Sequence, residues 1–138
     1  MAAAAEAART SGLVLTARSE NYLHGHPDLA DTIARLQAFA DAGADVLYAP
    51  GIRGIDEIRT VVREVAPKPV NVLALPGAPS VSELAEAGVA RVSVGGAFAF
   101  AALGALAAAG RELLDDGTYG FWETAGPGAK AARQAFSD

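Results

Sequence analysis

Apolar residues in this chain alternate between short unbroken runs and stripes at helical spacing, with turn-forming residues between them. Leu13, Val14, Leu15 and Thr16 form the first run and give way to Arg18, Ser19 and Glu20. Its length and β-branched content predict a buried strand with a polar carboxyl end. Residues 2–9 before it are strong helix formers, and Thr10, Ser11 and Gly12 can close a helix there. After a loop holding Asn21, Tyr22, His24 and Gly25, Pro27 and Asp28 open a second helical stripe of Leu29, Ile33, Leu36 and Ala40, which Gly43 stops.

The same alternation continues. Val46, Leu47 and Tyr48 predict a second strand cut off by Pro50 and Gly51, and Ile55, Ile58, Val62 and Val65 predict the next helix. A third strand is expected over residues 70–75. It is followed by a capping-box pattern in which Ser80 caps and Glu83 reaches back. Residues 91–94 predict a fourth strand, Gly95 and Gly96 a turn, and residues 97–114 the longest helix. Strand-then-helix units in this order imply a parallel sheet with right-handed crossovers and helices covering it. Strands apolar nearly throughout are those of a sheet buried on both faces. The expected fold is α/β: a parallel (βα)4 unit over residues 1–114, about half of a TIM-type (β/α)8 barrel, preceded by a cut helix. Residues 115–138 form a C-terminal helical or aromatic tail, because Tyr119, Phe121 and Trp122 lie beyond the last strand-helix unit and need a surface to bury against, within the fold or on another subunit.

Composition narrows the partners. The 138 residues are 51% hydrophobic, much of it alanine, which fits helices packed closely on strands in a single core. A formal net charge of -5 gives no broad cationic surface, so neither nucleic acid nor an anionic membrane is an expected partner. The alanine-rich stretch near residues 97–109 is too short and too weakly hydrophobic to span a bilayer. With no cysteine there is no disulfide, thiolate nucleophile or cysteine metal site. No leader pattern opens the sequence, and the cytoplasm is the expected compartment.

In parallel βα architectures the reactive face lies at the carboxyl ends of the strands. That rule selects Arg18, Glu20 and Asn21, then Tyr48 and Pro50, then Asn71, and finally Ser93, Gly95 and Gly96. Arg18 at a strand end needs a carboxylate, which a substrate or Glu20 can provide, since strand alternation puts Glu20 on the same side. Asn71, between two valines, either donates to a ligand or ties a neighbouring strand. Gly95-Gly96 before a helix fits either a phosphate-cradling turn or close helix-on-strand packing. His24 is expected to be solvated and His26 to help start its helix.

The strings Leu15-Thr16-Ala17-Arg18-Ser19-Glu20-Asn21, Ala42-Gly43-Ala44-Asp45-Val46-Leu47-Tyr48-Ala49-Pro50-Gly51, Pro69-Val70-Asn71-Val72-Leu73-Ala74 and Val92-Ser93-Val94-Gly95-Gly96-Ala97 together resemble the second half of the phosphoenolpyruvate mutase/isocitrate lyase family. That resemblance implies Mg2+-dependent lyase or mutase chemistry on C–C or P–C bonds of small 2-oxo or hydroxy acids, through a pyruvate enolate. It makes Arg18 the holder of a substrate carboxylate or phosphonate, Glu20 its support or that of the metal's water shell, and Asn71 a carboxylate ligand. Its principal metal-binding acids belong to the first half of the barrel, so the Mg2+ ligands are not expected in this chain, and a non-catalytic half-barrel module is the alternative. A full barrel takes about 250 residues. A homo-oligomer or a missing amino-terminal half is therefore expected, with the last barrel helix exchanged between subunits as family members often do.

Overall fold

A computed structural model describes residues 1–137. Helix α1 (Ala2–Ser11) leads into β1 (Thr16–Arg18), α2 (Leu29–Asp41), β2 (Val46–Tyr48), α3 (Ile55–Glu64), β3 (Val70–Leu73), α4 (Val81–Glu86), β4 (Arg91–Ser93), α5 (Ala97–Arg111) and α6 (Trp122–Ala135). The four strands pair in chain order, all parallel. This is the expected half of a TIM-type barrel. The chain divides into two compact units, residues 1–95 and 96–138.

In the first unit the sheet presents two unlike faces. Ala17, Leu47, Val70 and Val72 pack against Leu36, Ile58, Val61, Val65 and Leu84 of the helices, forming the apolar core. The alternate positions Thr16, Arg18, Tyr48, Asn71, Leu73, Arg91 and Ser93 line the opposite side. The expectation of strands apolar on both faces is thus corrected: residues at period two divide cleanly, and the second face is polar. β1 also begins later than the apolar run suggests. Leu13 and Val14 are exposed, and pairing starts where the Leu15 carbonyl accepts the N–H groups of Asp45 and Val46. The Asp45 carboxylate takes the Leu15 N–H in return, at 2.8 Å.

Local chemistry sets the helix ends. The Asp28 side chain accepts the Asp31 N–H at 2.9 Å to start α2. Ser80 and Glu83 form the expected reciprocal capping box on α4, and the bonds from Ser80 hold the Glu83 carboxyl below its ordinary range. Between α3 and β3 the Ala66–Pro67 peptide is cis.

The second unit behaves differently. α5 buries none of its residues, and Phe98, Phe100, Leu103 and Leu106 are exposed along it. It runs on through a π-turn, Glu112–Asp116, as one 20-residue helical segment. By length and composition that segment is sufficient to cross a bilayer, which corrects the expectation drawn from residues 97–109 alone; the match is one of length and composition only. The Glu112 carboxylate accepts the Thr118 hydroxyl at 2.7 Å and the N–H groups of Gly120 and Phe121, and these bonds lower its pKa. The turn so fixed stacks Phe121 on Trp122, with ring centres 5.9 Å apart, and sets Tyr119 edge-on to Phe121 at 6.3 Å. The tail then continues as α6, which carries Pro127 in its interior.

Candidate functional site

The polar sheet face forms an open groove of about 320 Å3 lined by Thr16, Arg18, Tyr48, Asn71, Leu73, Arg91, Ser93 and Gly95. Parallel register explains the gathering. Arg18 pairs with Tyr48, Tyr48 with Asn71 and Asn71 with Arg91, so one row crosses all four strands with its side chains on one face. Among the described residues no carboxylate lines this groove, although the chain carries 16 acidic residues against 11 basic ones. A local positive site has been set into an acidic molecule.

Arg18 is half-exposed and held from two sides. Its Nη2 lies 2.7 Å from Glu20 Oε1, and its guanidinium sits over the buried Tyr48 ring, 5.1 Å from the ring centre. The carboxylate and the ring face fix its direction, the second by cation–π attraction. Glu20 also approaches His24, with Oε2 at 3.6 Å from Nε2. Glu20 thus stands beside the groove as the partner of Arg18 rather than in its lining.

Asn71 is almost wholly buried, at 1% exposure. Its Nδ2 donates to Ser93 Oγ at 2.9 Å, and its Oδ1 accepts from Arg91 Nε at 2.8 Å. The amide therefore ties β3 to β4, which is the structural alternative open at the sequence level. Arg91 continues across the sheet, with Nη2 donating to Thr16 Oγ1 of β1 at 3.1 Å. In the sequence Arg91 reads only as the opening residue of a strand. Its spacing of two from Ser93 placed both on the same face and was the available signal.

The other selected residues divide between the groove and its surroundings. The Asn21 amide is absorbed by its own loop: Nδ2 donates to Thr32 Oγ1 at 2.6 Å and to the carbonyls of His26 and Asp28, while Oδ1 accepts from Ser19 Oγ at 2.8 Å. Gly95, at φ 53°, lines the groove, whereas Gly96 is the N-cap of α5 and opens the second unit. Tyr22 donates its hydroxyl to Glu57 Oε1 at 2.8 Å and braces the loop after β1 against α3. A Cβ on Gly51 would come within 2.9 Å of the Tyr22 Cβ, so the loop after β2 needs glycine at that contact. Burial first, and the Glu57 hydrogen bond second, push the Tyr22 hydroxyl up to about 12.

The groove offers guanidinium and hydroxyl groups. These suit a carboxylate or phosphonate and do not suit Mg2+, which calls for carboxylate oxygens. Among the described residues, no group of three or more His, Asp or Glu side chains could hold a metal. No residue of this chain is assigned to the metal the resemblance implies.

A family model described as phosphoenolpyruvate phosphomutase matches residues 1–114. Among solved structures, the chain is similar to a Burkholderia cenocepacia J2315 protein assigned as a lyase/mutase, at 55% identity and TM-score 0.89, covering 99% of this chain and 50% of that one. It is also similar to 2,3-dimethylmalate lyase, a member of the PEP mutase/isocitrate lyase superfamily, at 26% identity and TM-score 0.73, covering 99% of this chain and 54% of the enzyme. Oxaloacetate acetylhydrolase in complex with its product oxalate shares 26% identity at TM-score 0.75, over 86% of this chain and 43% of the enzyme. The chain therefore spans about half the length of these relatives. The family model matches most of the chain, and the chain belongs to the phosphoenolpyruvate phosphomutase family.

Proposed function

We propose that this chain supplies the anion-binding half of a lyase or mutase that cleaves or forms C–C or P–C bonds in small 2-oxo or hydroxy acids. The observation that carries the reading is a groove with two guanidiniums and no carboxylate in its lining, at the strand ends of a family whose solved members include lyases and hydrolases of such acids. Arg18 holds the substrate carboxylate or phosphonate. Glu20 and the Tyr48 ring keep the guanidinium aimed, so little orientational freedom is lost on binding. Breaking the bond to the pyruvyl carbon leaves its electron pair there as an enolate, and a fixed cation beside the carboxylate favours that anion over solvent. Mg2+, if bound, would supply Lewis-acid chemistry and would be held by carboxylates other than the residues lining this groove.

The absence of carboxylates from the groove also favours a second reading, in which this chain by itself is a non-catalytic half-barrel module. Pyruvate release from oxaloacetate and 2-methylisocitrate, with and without Mg2+, separates the two. Mg2+-dependent release that falls by about a hundredfold or more in Arg18→Ala is expected if the chain is catalytic, a loss in line with removing one transition-state hydrogen-bond donor. Rates independent of metal and unchanged by the substitution would remove the enzymatic reading and leave the module.

A further inference from the structure

Tyr48 closes β2, and its ring carries the Arg18 guanidinium. The residue is more than nine-tenths buried, with 7% of its surface exposed, and it lines the groove. Its place is fixed along the backbone as well as at the ring. The Tyr48 carbonyl accepts the Ser19 N–H at 2.9 Å where β1 ends, and the residue pairs in register with Arg18 on one side and Asn71 on the other.

Among the described residues, the hydroxyl at the end of this ring has no hydrogen-bond partner. The polar side chains beside it are engaged elsewhere, Arg18 with Glu20 and Asn71 with Arg91 and Ser93. Tyr22, by contrast, gives its hydroxyl to Glu57. Among the described residues, no buried side-chain oxygen or nitrogen is both sealed from solvent and unpaired. The small exposed part of Tyr48 therefore includes its hydroxyl oxygen, open to the groove. A phenol buried at its body keeps a donor at its tip for a partner. With the ring centre 5.1 Å from the Arg18 guanidinium carbon, an oxyanion seated against that fork lies beside the same ring.

We infer that the Tyr48 hydroxyl is a second, uncharged donor to the oxyanion that Arg18 holds. Tyr48 is then a ligand-binding residue through its oxygen as well as a support through its ring. The inference rests on the reading of Arg18 given above and adds a neutral hydrogen bond to the same anion.

The test titrates the 138-residue chain, labelled with 15N-arginine and 13Cζ-tyrosine, with methylphosphonate and follows both nuclei by NMR. The Arg18 Nε–H and Tyr48 Cζ resonances are expected to shift together at one midpoint, with the Cζ signals of Tyr22 and Tyr119 unmoved. Tyr48→Phe keeps the ring beside Arg18 and removes the oxygen alone. It is expected to weaken methylphosphonate binding about tenfold, the loss of one charge-assisted hydrogen bond. A role of the ring alone predicts no change in that variant. An Arg18 response without a Tyr48 shift, or full affinity in Tyr48→Phe, overturns the role of the hydroxyl and leaves that of Arg18 standing. No response from either residue overturns both. Where Tyr48→Phe loses its folded spectrum, the wild-type Tyr48 Cζ resonance decides.

Discussion

Arg18 and Arg91 are both exposed arginines at strand positions, yet their surroundings give them different parts. Arg18 has a carboxylate and an aromatic face, and Arg91 has an amide and a hydroxyl. Only the second arrangement leaves a net charge facing the groove. Tyr22 shows a residue whose chemistry is spent on the scaffold. Its pKa of about 12 exceeds the ordinary 10.0, so between these values the folded state keeps a proton the unfolded chain has lost. The stabilisation is complete below pH 10.0 and is expected to drain away as the pH rises toward about 12. Alkaline titration followed by tyrosinate absorbance should show Tyr22 ionising at about pH 12 rather than at the ordinary 10.0. Replacing Glu57 by Gln should bring it earlier, because the negative charge that opposes ionisation is gone.

Among elements, the strands carry the site and the helices carry the core. α4 is short, six residues, and depends on its cap more than the longer helices do. Ser80→Ala removes the acceptor for the Glu83 N–H, and urea unfolding is expected to show a loss of about 1 kcal/mol. Ser80→Asp, which keeps an acceptor, should lose less. An unchanged midpoint in Ser80→Ala would mean that packing of Leu84 alone holds α4 in place. The capping box was legible because its two residues lie three apart in sequence. The start of β1 was not, since Leu13 and Val14 look like strand residues and only the position of Asp45 and Val46 decides where pairing begins.

For the whole molecule, the consequence is an open sheet. β1 and β4 each have a partner on one side only, and α5 exposes a row of apolar side chains. Unpaired strand edges and exposed apolar surface of this kind favour association. Sedimentation velocity over a range of concentrations is expected to show self-association, and a stable folded monomer at every concentration would contradict it. The relatives, about twice as long, contain as much chain again as is present here.

Periodicity and punctuation in the sequence determined the order of strands and helices, the glycine and proline stops, the capping box and the parallel architecture, because each depends on residues close together along the chain. They also marked Arg18 with Glu20, two residues apart where β1 ends. The tertiary structure decided which strand face is polar and that Asn71 is a tether. It also decided that Asn21 belongs to its loop and that Arg91 joins the groove. Those outcomes depend on register between strands tens of residues apart, as in the Arg91–Thr16 bond from β4 to β1. Pairing of that range leaves no mark on the local pattern of either strand.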